Sequence, residues 1–155
     1  CFFFTSNMAD QEERIMGFET KIQEEEVYLK QLQEQLCELE AQVSSFCELF
    51  EVQRMHFTEF KEGEVDRIAK MRQSVSSLKS SEEVNEEEVA MQNLKLQQTE
   101  DSLEETVTQL NQEMKALEKE IEEIKALTTE KRDQIEQSCK TLEQLQIELV
   151  RAREA

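Results

Sequence analysis

Between Leu103 and Leu149 the apolar residues recur in steps of four and three. They read Leu103, Val107, Leu110, Met114, Leu117, Ile121 and Ile124, then, past polar steps at Thr128 and Lys131, Ile135, Leu142, Leu145 and Leu149. That spacing is the 3.5-residue hydrophobic period of helices that wind around a partner. So narrow a stripe cannot be buried by an isolated helix, so the chain needs a second helix, from another polypeptide or from elsewhere in itself. The fold class it predicts is all-α, built from long coiled-coil helices.

The composition supports long helices. In 155 residues there are two glycines and no proline, where average usage would supply roughly eleven and eight. Charged residues make up 35% and hydrophobic residues 37%, a balance that would also suit disorder. The apolar residues lie on periodic stripes, however, and that argues for helix over most of the length.

A second stripe runs from Ile15 to Phe60. With Ile15 at heptad position a, the a positions hold Ile15, Ile22, Leu29, Leu36, Val43, Phe50 and Phe57, and the d positions hold Phe18, Leu32, Leu39, Phe46 and Phe60, with only Glu25 and Gln53 breaking the pattern. Tyr28, Cys47 and Leu49 occupy flanking positions. The apolar face therefore widens beyond a two-helix seam, most clearly between residues 46 and 60, as in bundles of three or four helices. The aromatic cluster of Phe46, Phe50, Phe57 and Phe60, with Met55 and His56 beside it, reads first as bulky seam packing. Its functional alternative is a docking surface, since aromatics and Met are enriched at interface centres.

After Phe60 the frame shifts. Val65, Ile68, Met71, Val75 and Leu78 continue a stripe in a new phase, with Gly63 near the slip, and such a phase change alters the supercoil locally. The Ser-rich stretch from Ser74 to Ser81 and the acidic run to Glu88 follow. Serine clusters favour loops and caps, and two pairs, Ser80 with Glu83 and Asn85 with Glu88, have capping-box spacing. The expected organisation is thus an N-terminal segment over 1–14, flexible in this reading, a first helix over 15–73, a break over 74–85 and a second helix over 86–155. Residues 1–7, ahead of Met8, read as a leader, an alternative start or a foreign remnant, and the second helix is expected to continue in a longer parent.

A turn near Ser80 would fold the two stripes into an antiparallel hairpin, with Ile15 against Leu145, Val43 against Leu117, Phe50 against Leu110 and Phe57 against Leu103. The alternative is one continuous rod. A parallel homodimer would stack Glu25 on Glu25 and Lys131 on Lys131 in its seam, where like charges repel, whereas the hairpin sets Lys131 opposite Leu29 with Glu25 about one turn away. Both stripes also weaken toward the same point. The hairpin is favoured.

The net charge of −18 arises from 36 acidic and 18 basic residues. Binding to phosphate backbones or anionic membranes depends on Lys and Arg displacing counterions, so direct nucleic-acid binding and membrane attachment are not expected. The opening Cys1-Phe2-Phe3-Phe4 is too short to span a bilayer. Residues 1–79 hold 16 acids and 9 bases, and residues 80–155 hold 20 acids and 9 bases. Two helices this acidic make an imperfect pair. Flanking residues such as Glu104, Glu113, Glu118, Glu120 and Glu148 would be better matched by Lys and Arg on a further helix. The expected partner is a more basic coiled-coil protein in a hetero-oligomeric bundle, favoured over a parallel homodimer.

The sequence holds no glycine-rich phosphate loop and no nucleophile elbow. The four cysteines, Cys1, Cys37, Cys47 and Cys139, are too far apart for paired metal ligands, and no metal or cofactor is expected. Lying at helical positions with no secretory signal, they read as reduced thiols of a cytoplasmic or nuclear protein. His56 is the only histidine, and no second ligand or triad partner stands at suitable spacing. The expectation is a non-enzymatic structural subunit, a scaffold or spacer of the cytoskeletal, ciliary, centrosomal or kinetochore kind. Its coiled-coil interface would comprise Leu29, Leu32, Leu36, Leu39, Val43, Phe46, Phe50, Phe57 and Phe60 of the first run, with the stripe from Leu103 to Leu149 in the second. Two alternatives are a regulatory adaptor with a phosphorylatable hinge at Ser80 and Ser81, and a rod segment of a homodimeric filament.

Overall fold

The structure, a computed structural model, describes residues 2–154. It contains two helices, α1 (Phe2–Lys79) and α2 (Glu86–Glu154), packed together as a hairpin and not as one continuous rod. Among the described residues there is no strand. The chain divides into two compact units, a terminal unit formed by Cys1–Ser44 with Glu122–Ala155 and a turn unit formed by Ser45–Ile121.

Helix α1 is longer at both ends than its stripe suggests. It begins at Phe2, well inside the segment expected to be flexible, and it continues through Ser74–Lys79, which the composition assigns to the break. Gln11 shows why the early residues belong to the fold: its Nε2 donates to the carbonyl of Ala152 at 2.9 Å. At the other end Val75 is buried and Leu78 half-buried, so seam burial outweighs the weak helix preference of the surrounding serines.

The break is therefore confined to residues 80–85. Ser80 does not cap the second helix. Its hydroxyl and its amide both bond back to the carbonyl of Ser76, at 2.9 and 3.1 Å, and Ser81 N reaches Leu78 O at 3.4 Å. These bonds close the last turn of α1, where Lys79 also suits the negative end of the helix dipole. Asn85 is the cap of α2: its Oδ1 accepts from the amides of Glu87 and Glu88 at 3.1 and 3.3 Å. Glu86, Glu87 and Glu88 fill the first turn, where carboxylates face the positive end of the dipole.

In the terminal unit the burial pattern fits a heptad seam. Along α1 it touches Gln11, Ile15, Phe18, Ile22, Glu25, Leu29, Leu32, Leu36, Leu39 and Val43, with Leu32 the most enclosed. Along α2 it touches Ile124, Thr128, Lys131, Ile135, Ser138, Leu142, Leu145, Leu149 and Ala152. Thr128 is buried, and its hydroxyl is satisfied by the carbonyl of Ile124 one turn back, at 2.9 Å. Ser138 and Ala152, which hydrophobicity alone passes over, are the two most buried residues of this stretch. The seam has room for small side chains only where the opposite helix supplies a long one, and Ser138 stands across from Glu25, whose Oε1 accepts the serine hydroxyl at 2.7 Å.

That contact corrects the pairing expected from the stripes. Glu25, set opposite Ile135 in that alignment, bonds Ser138 three residues further along α2, and in the turn unit Phe57 shares a groove with Leu110 instead of pairing with Leu103. Both contacts thus fall further along α2 than the expected alignment places them, by three residues in the terminal unit and by seven in the turn unit. Heptad frames match equally well every seven residues, and a turn centred in residues 80–85, some three residues beyond Ser80, selects the next match.

Candidate interaction surface

The turn unit is where the seam is least complete. Phe46, Phe50 and Phe57 are half-buried on α1, as are Leu103, Val107, Leu110 and Met114 on α2, and Leu117 and Ile121 are buried. The d positions Gln53 and Phe60 are both exposed, however, and the Phe60 ring is 39% open. When burial resumes on α1 it follows Glu64, Ile68, Met71, Val75 and Leu78: Glu64, Met71 and Leu78 keep old a positions, Ile68 and Val75 stand one residue past the old d positions, and Val65, expected on this stripe, faces solvent. Glu64 takes the place of Val65 beside the seam, its carboxylate paired with Arg67 at 3.2 Å.

Helix α2 changes phase as well. Its half-buried residues step from Thr99 to Leu103 to Val107, two four-residue strides in succession, before the regular alternation begins at Leu110. Since Phe57 lies across from Leu110 and Arg72 bonds Glu100 at 2.6 Å, the two changes fall at the same level of the hairpin. An extra four-residue stride locally unwinds a supercoil. Here it parts the facing side chains and leaves a groove of about 280 Å³ lined by Gln53, His56, Phe57 and Phe60 of α1 and Leu110, Glu113 and Met114 of α2. Gly63, near the slip, has no neighbour within 4 Å of where a Cβ would stand, so it reflects open surface and not a close helix approach.

Leading into the groove is an exposed row on α1, Leu49, Val52, His56 and Phe60, spaced three and four apart and so aligned on one helix face. The aromatic cluster is thereby divided. Three rings pack in the seam, and the fourth stands at its open rim. On the α2 side the surface is acidic: Asp101, Glu104 and Glu105 line a shallow depression with Thr108, Gln109 and Gln112, and no Lys or Arg occurs between Lys95 and Lys115. Arg72–Glu100 is the cross-helix ion pair of this unit among the described residues.

The terminal unit carries smaller features of the same kind. Val27 and Tyr28 of α1 are exposed, and Ile147 and Val150 of α2 form an apolar patch beside Glu143 and Arg151. Two cross-helix ion pairs, Arg132–Glu40 at 3.1 Å and Arg153–Glu19 at 3.0 Å, border its seam on the solvent side. The Oε1 of Gln134 is buried without a hydrogen-bond partner, an arrangement that costs about 1–3 kcal/mol.

Among the described residues no group of three or more His, Cys, Asp or Glu is placed to hold a metal ion. Cys37 and Cys139 are exposed free thiols and Cys47 is half-buried. No helix among those residues is long and apolar enough to cross a membrane. Ser80 and Ser81 are exposed at the turn.

Together these features define a class: an antiparallel α-helical hairpin with uncovered apolar rows beside an acidic surface. Comparison with protein-family models, with curated proteins and with solved structures returned no match.

Proposed function

We propose that this chain is a non-enzymatic structural coiled-coil subunit, which assembles with other helical proteins as a scaffold or spacer in a multi-protein complex. The observation that carries this reading is the apolar row of Leu49, Val52 and Phe60 left open on α1. Two helices can cover only the facing side of each other. Among the described residues seven hydrophobic side chains are buried, and none of the large ones is fully enclosed, so the hairpin by itself forms a thin core. A further helix would bury the open row at roughly 25 cal/mol per Å² of apolar surface removed from water.

The charge indicates the kind of helix. Both units are acidic, and a net charge of −18 opposes self-association while favouring a more basic partner. The setting proposed for it is a hetero-oligomeric bundle of the cytoskeletal type, ciliary, centrosomal or kinetochore, in the cytoplasm or nucleus.

The test is lysine cross-linking mass spectrometry on the full chain recovered with its native partners, with the mass of the assembly. The expected result is links within the hairpin, Lys21 to Lys140 among them, and links from its outer faces to helical segments of another polypeptide. Recovery of the chain as a monomer with a high, salt-insensitive melting temperature would refute the reading.

A further inference from the structure

The geometry points to the groove between Phe57 and Phe60 of α1 and Leu110 and Met114 of α2 as the docking site for an amphipathic helix of a different, more basic polypeptide. This rests on the structural-subunit reading above and adds where the partner sits and what chemistry it presents.

Three observations converge on that level of the hairpin. First, both helices change phase there, so the seam opens at the one place where it is richest in large apolar side chains. A phase change in one helix alone would be a packing irregularity. Matched changes in both helices part the facing side chains, and of the depressions at this level the one between Phe57, Phe60, Leu110 and Met114 is lined by both helices. Secondly, Phe60 occupies a seam position and yet remains 39% exposed, and it continues an open row that begins at Leu49 and Val52. From Leu49 to Phe60 is eleven residues, about 16 Å at 1.5 Å per residue, or three turns. That is the reach over which a docked helix presents anchors at i, i+3, i+4 and i+7. The groove itself, at about 280 Å³, lies below the roughly 300–1,000 Å³ typical of small-molecule pockets. It suits one or two side chains of such a helix.

The third observation is electrostatic and identifies the occupant. Glu113 lines the groove, while Asp101, Glu104 and Glu105 lie on the outer face of the same helix, turned away from the seam. None of these four takes part in an ion pair among the described residues, and the stretch between Lys95 and Lys115 contains no base. A second copy of this chain would bring carboxylates to that rim and be repelled. A helix with Leu, Ile, Met or aromatic anchors flanked by Lys and Arg would bury the row and pair the rim. Buried aromatic and Met residues ringed by charge are the composition expected at an interface centre.

The experiment uses the full chain, tagged and expressed at native level, with Lys61 and Lys115, the chain neighbours of Phe60 and Met114, as cross-linking reporters. The variants are Phe60→Ser, which removes the open ring, and Glu113→Lys, which reverses the rim charge. Glu34→Lys, on the outer face of α1 in the terminal unit, controls for a general charge effect. Circular dichroism of each purified variant checks that helix content equals that of the wild type.

The expected result is that Lys61 and Lys115 link to a helical segment of another polypeptide rich in Lys and Arg. Phe60→Ser and Glu113→Lys then each reduce co-recovery of that polypeptide at least tenfold, while Glu34→Lys changes it less than twofold. If the assembly forms and both groove variants retain it at wild-type levels, the groove is not the site, and the structural-subunit reading stands without it. An equal loss in Glu34→Lys would reduce the effect to overall charge and overturn the site. Links from Lys61 to Lys61 of another copy would overturn the choice of occupant. Absence of any assembly refutes the broader reading instead.

Discussion

Replacing Ser138 by alanine tests the most specific contact in the seam. Ser138 is 2% exposed, and its hydroxyl donates to Glu25 Oε1 at 2.7 Å. A hydrogen bond to a charged group contributes about 1.5–3 kcal/mol. Glu25 is only half-buried, so water recovers part of the loss when the hydroxyl is removed. The expected cost of Ser138→Ala is therefore about 1–2 kcal/mol, at the lower end of that range. At about 2–4 °C per kcal/mol for a chain near this length, the melting temperature falls by about 2–8 °C. Glu25→Leu acts differently, because it removes a carboxylate from a seam position and extends the apolar stripe. Replacing both polar partners by apolar groups is close to neutral or stabilising.

A double-mutant cycle with Ser138→Ala and Glu25→Leu, followed by circular dichroism during urea unfolding, isolates the pair. The coupling is expected near 1 kcal/mol, and a value below about 0.3 kcal/mol would show that the pair contributes nothing specific. The same layer bears on register. With Cys1 and Cys47 replaced by serine, spin labels on the exposed Cys37 and Cys139 are expected to give one distance in the parent protein. In Glu25→Leu with Ser138→Leu, a second population displaced by a heptad, about 10 Å at 1.5 Å per residue, is expected to appear. A single unchanged distance in that variant would refute the idea that this polar layer selects the register.

Asn85→Ala removes the two bonds that start α2 and is expected to cost about 1 kcal/mol, read as a lower midpoint in urea; no change would show that Glu86–Glu88 suffice as a cap. Ser80→Asp, standing in for phosphorylation, places negative charge at the C-terminal end of α1 beside Glu82 and Glu83, so it is expected to destabilise by about 0.3–1 kcal/mol. That reverses the sign that a cap on α2 would give, and a stabilised variant would refute the assignment of Ser80 to α1. In the turn unit Ile121→Ala, at a buried position, is expected to cost about 2–5 kcal/mol. Leu127→Ala, on a 49% exposed side chain of α2, is expected to stay within about 0.5 kcal/mol, and equal costs at the two positions would show that the seam is misplaced.

Much of this fold is legible in the residues themselves. Steps of four and three from Leu103 to Leu149 locate one face of α2 because apolar area must leave water, and a helix returns the same face every 3.5 residues. Asn85 followed by three glutamates marks the start of that helix through local bonds that no distant contact alters. The break appears as the one place where stripe and helix formers lapse together. Other assignments went astray where short-range preference competed with burial. Ser74–Lys79 read as loop, yet Val75 in the seam holds them in α1, and Gln11 in a segment expected to be flexible is held by Ala152.

The interaction surface was half legible. The apolar width between residues 46 and 60 shows in the heptad frame, but the frame cannot say which ring packs and which stays open. Phe46, Phe50 and Phe57 share the pattern of Phe60, and only the meeting of the phase change in α1 with that in α2, some forty residues further along the chain, decides that Phe60 lies at an open rim. A hint lay in Thr99, Leu103 and Val107, whose two four-residue strides match the shift after Phe60.

By itself, then, the sequence determined the helices, their apolar faces, their turn and their acidic surface, all set by periodicity, composition and bonds between near neighbours. Only the tertiary structure decided the register, the burial of Ser138 and Ala152, and the groove at Phe60. The physical reason is degeneracy. Two heptad stripes fit each other equally well at every seventh residue, and the choice among those fits rests on contacts such as Glu25 with Ser138 and on the length of the turn, which exist only once the helices are side by side.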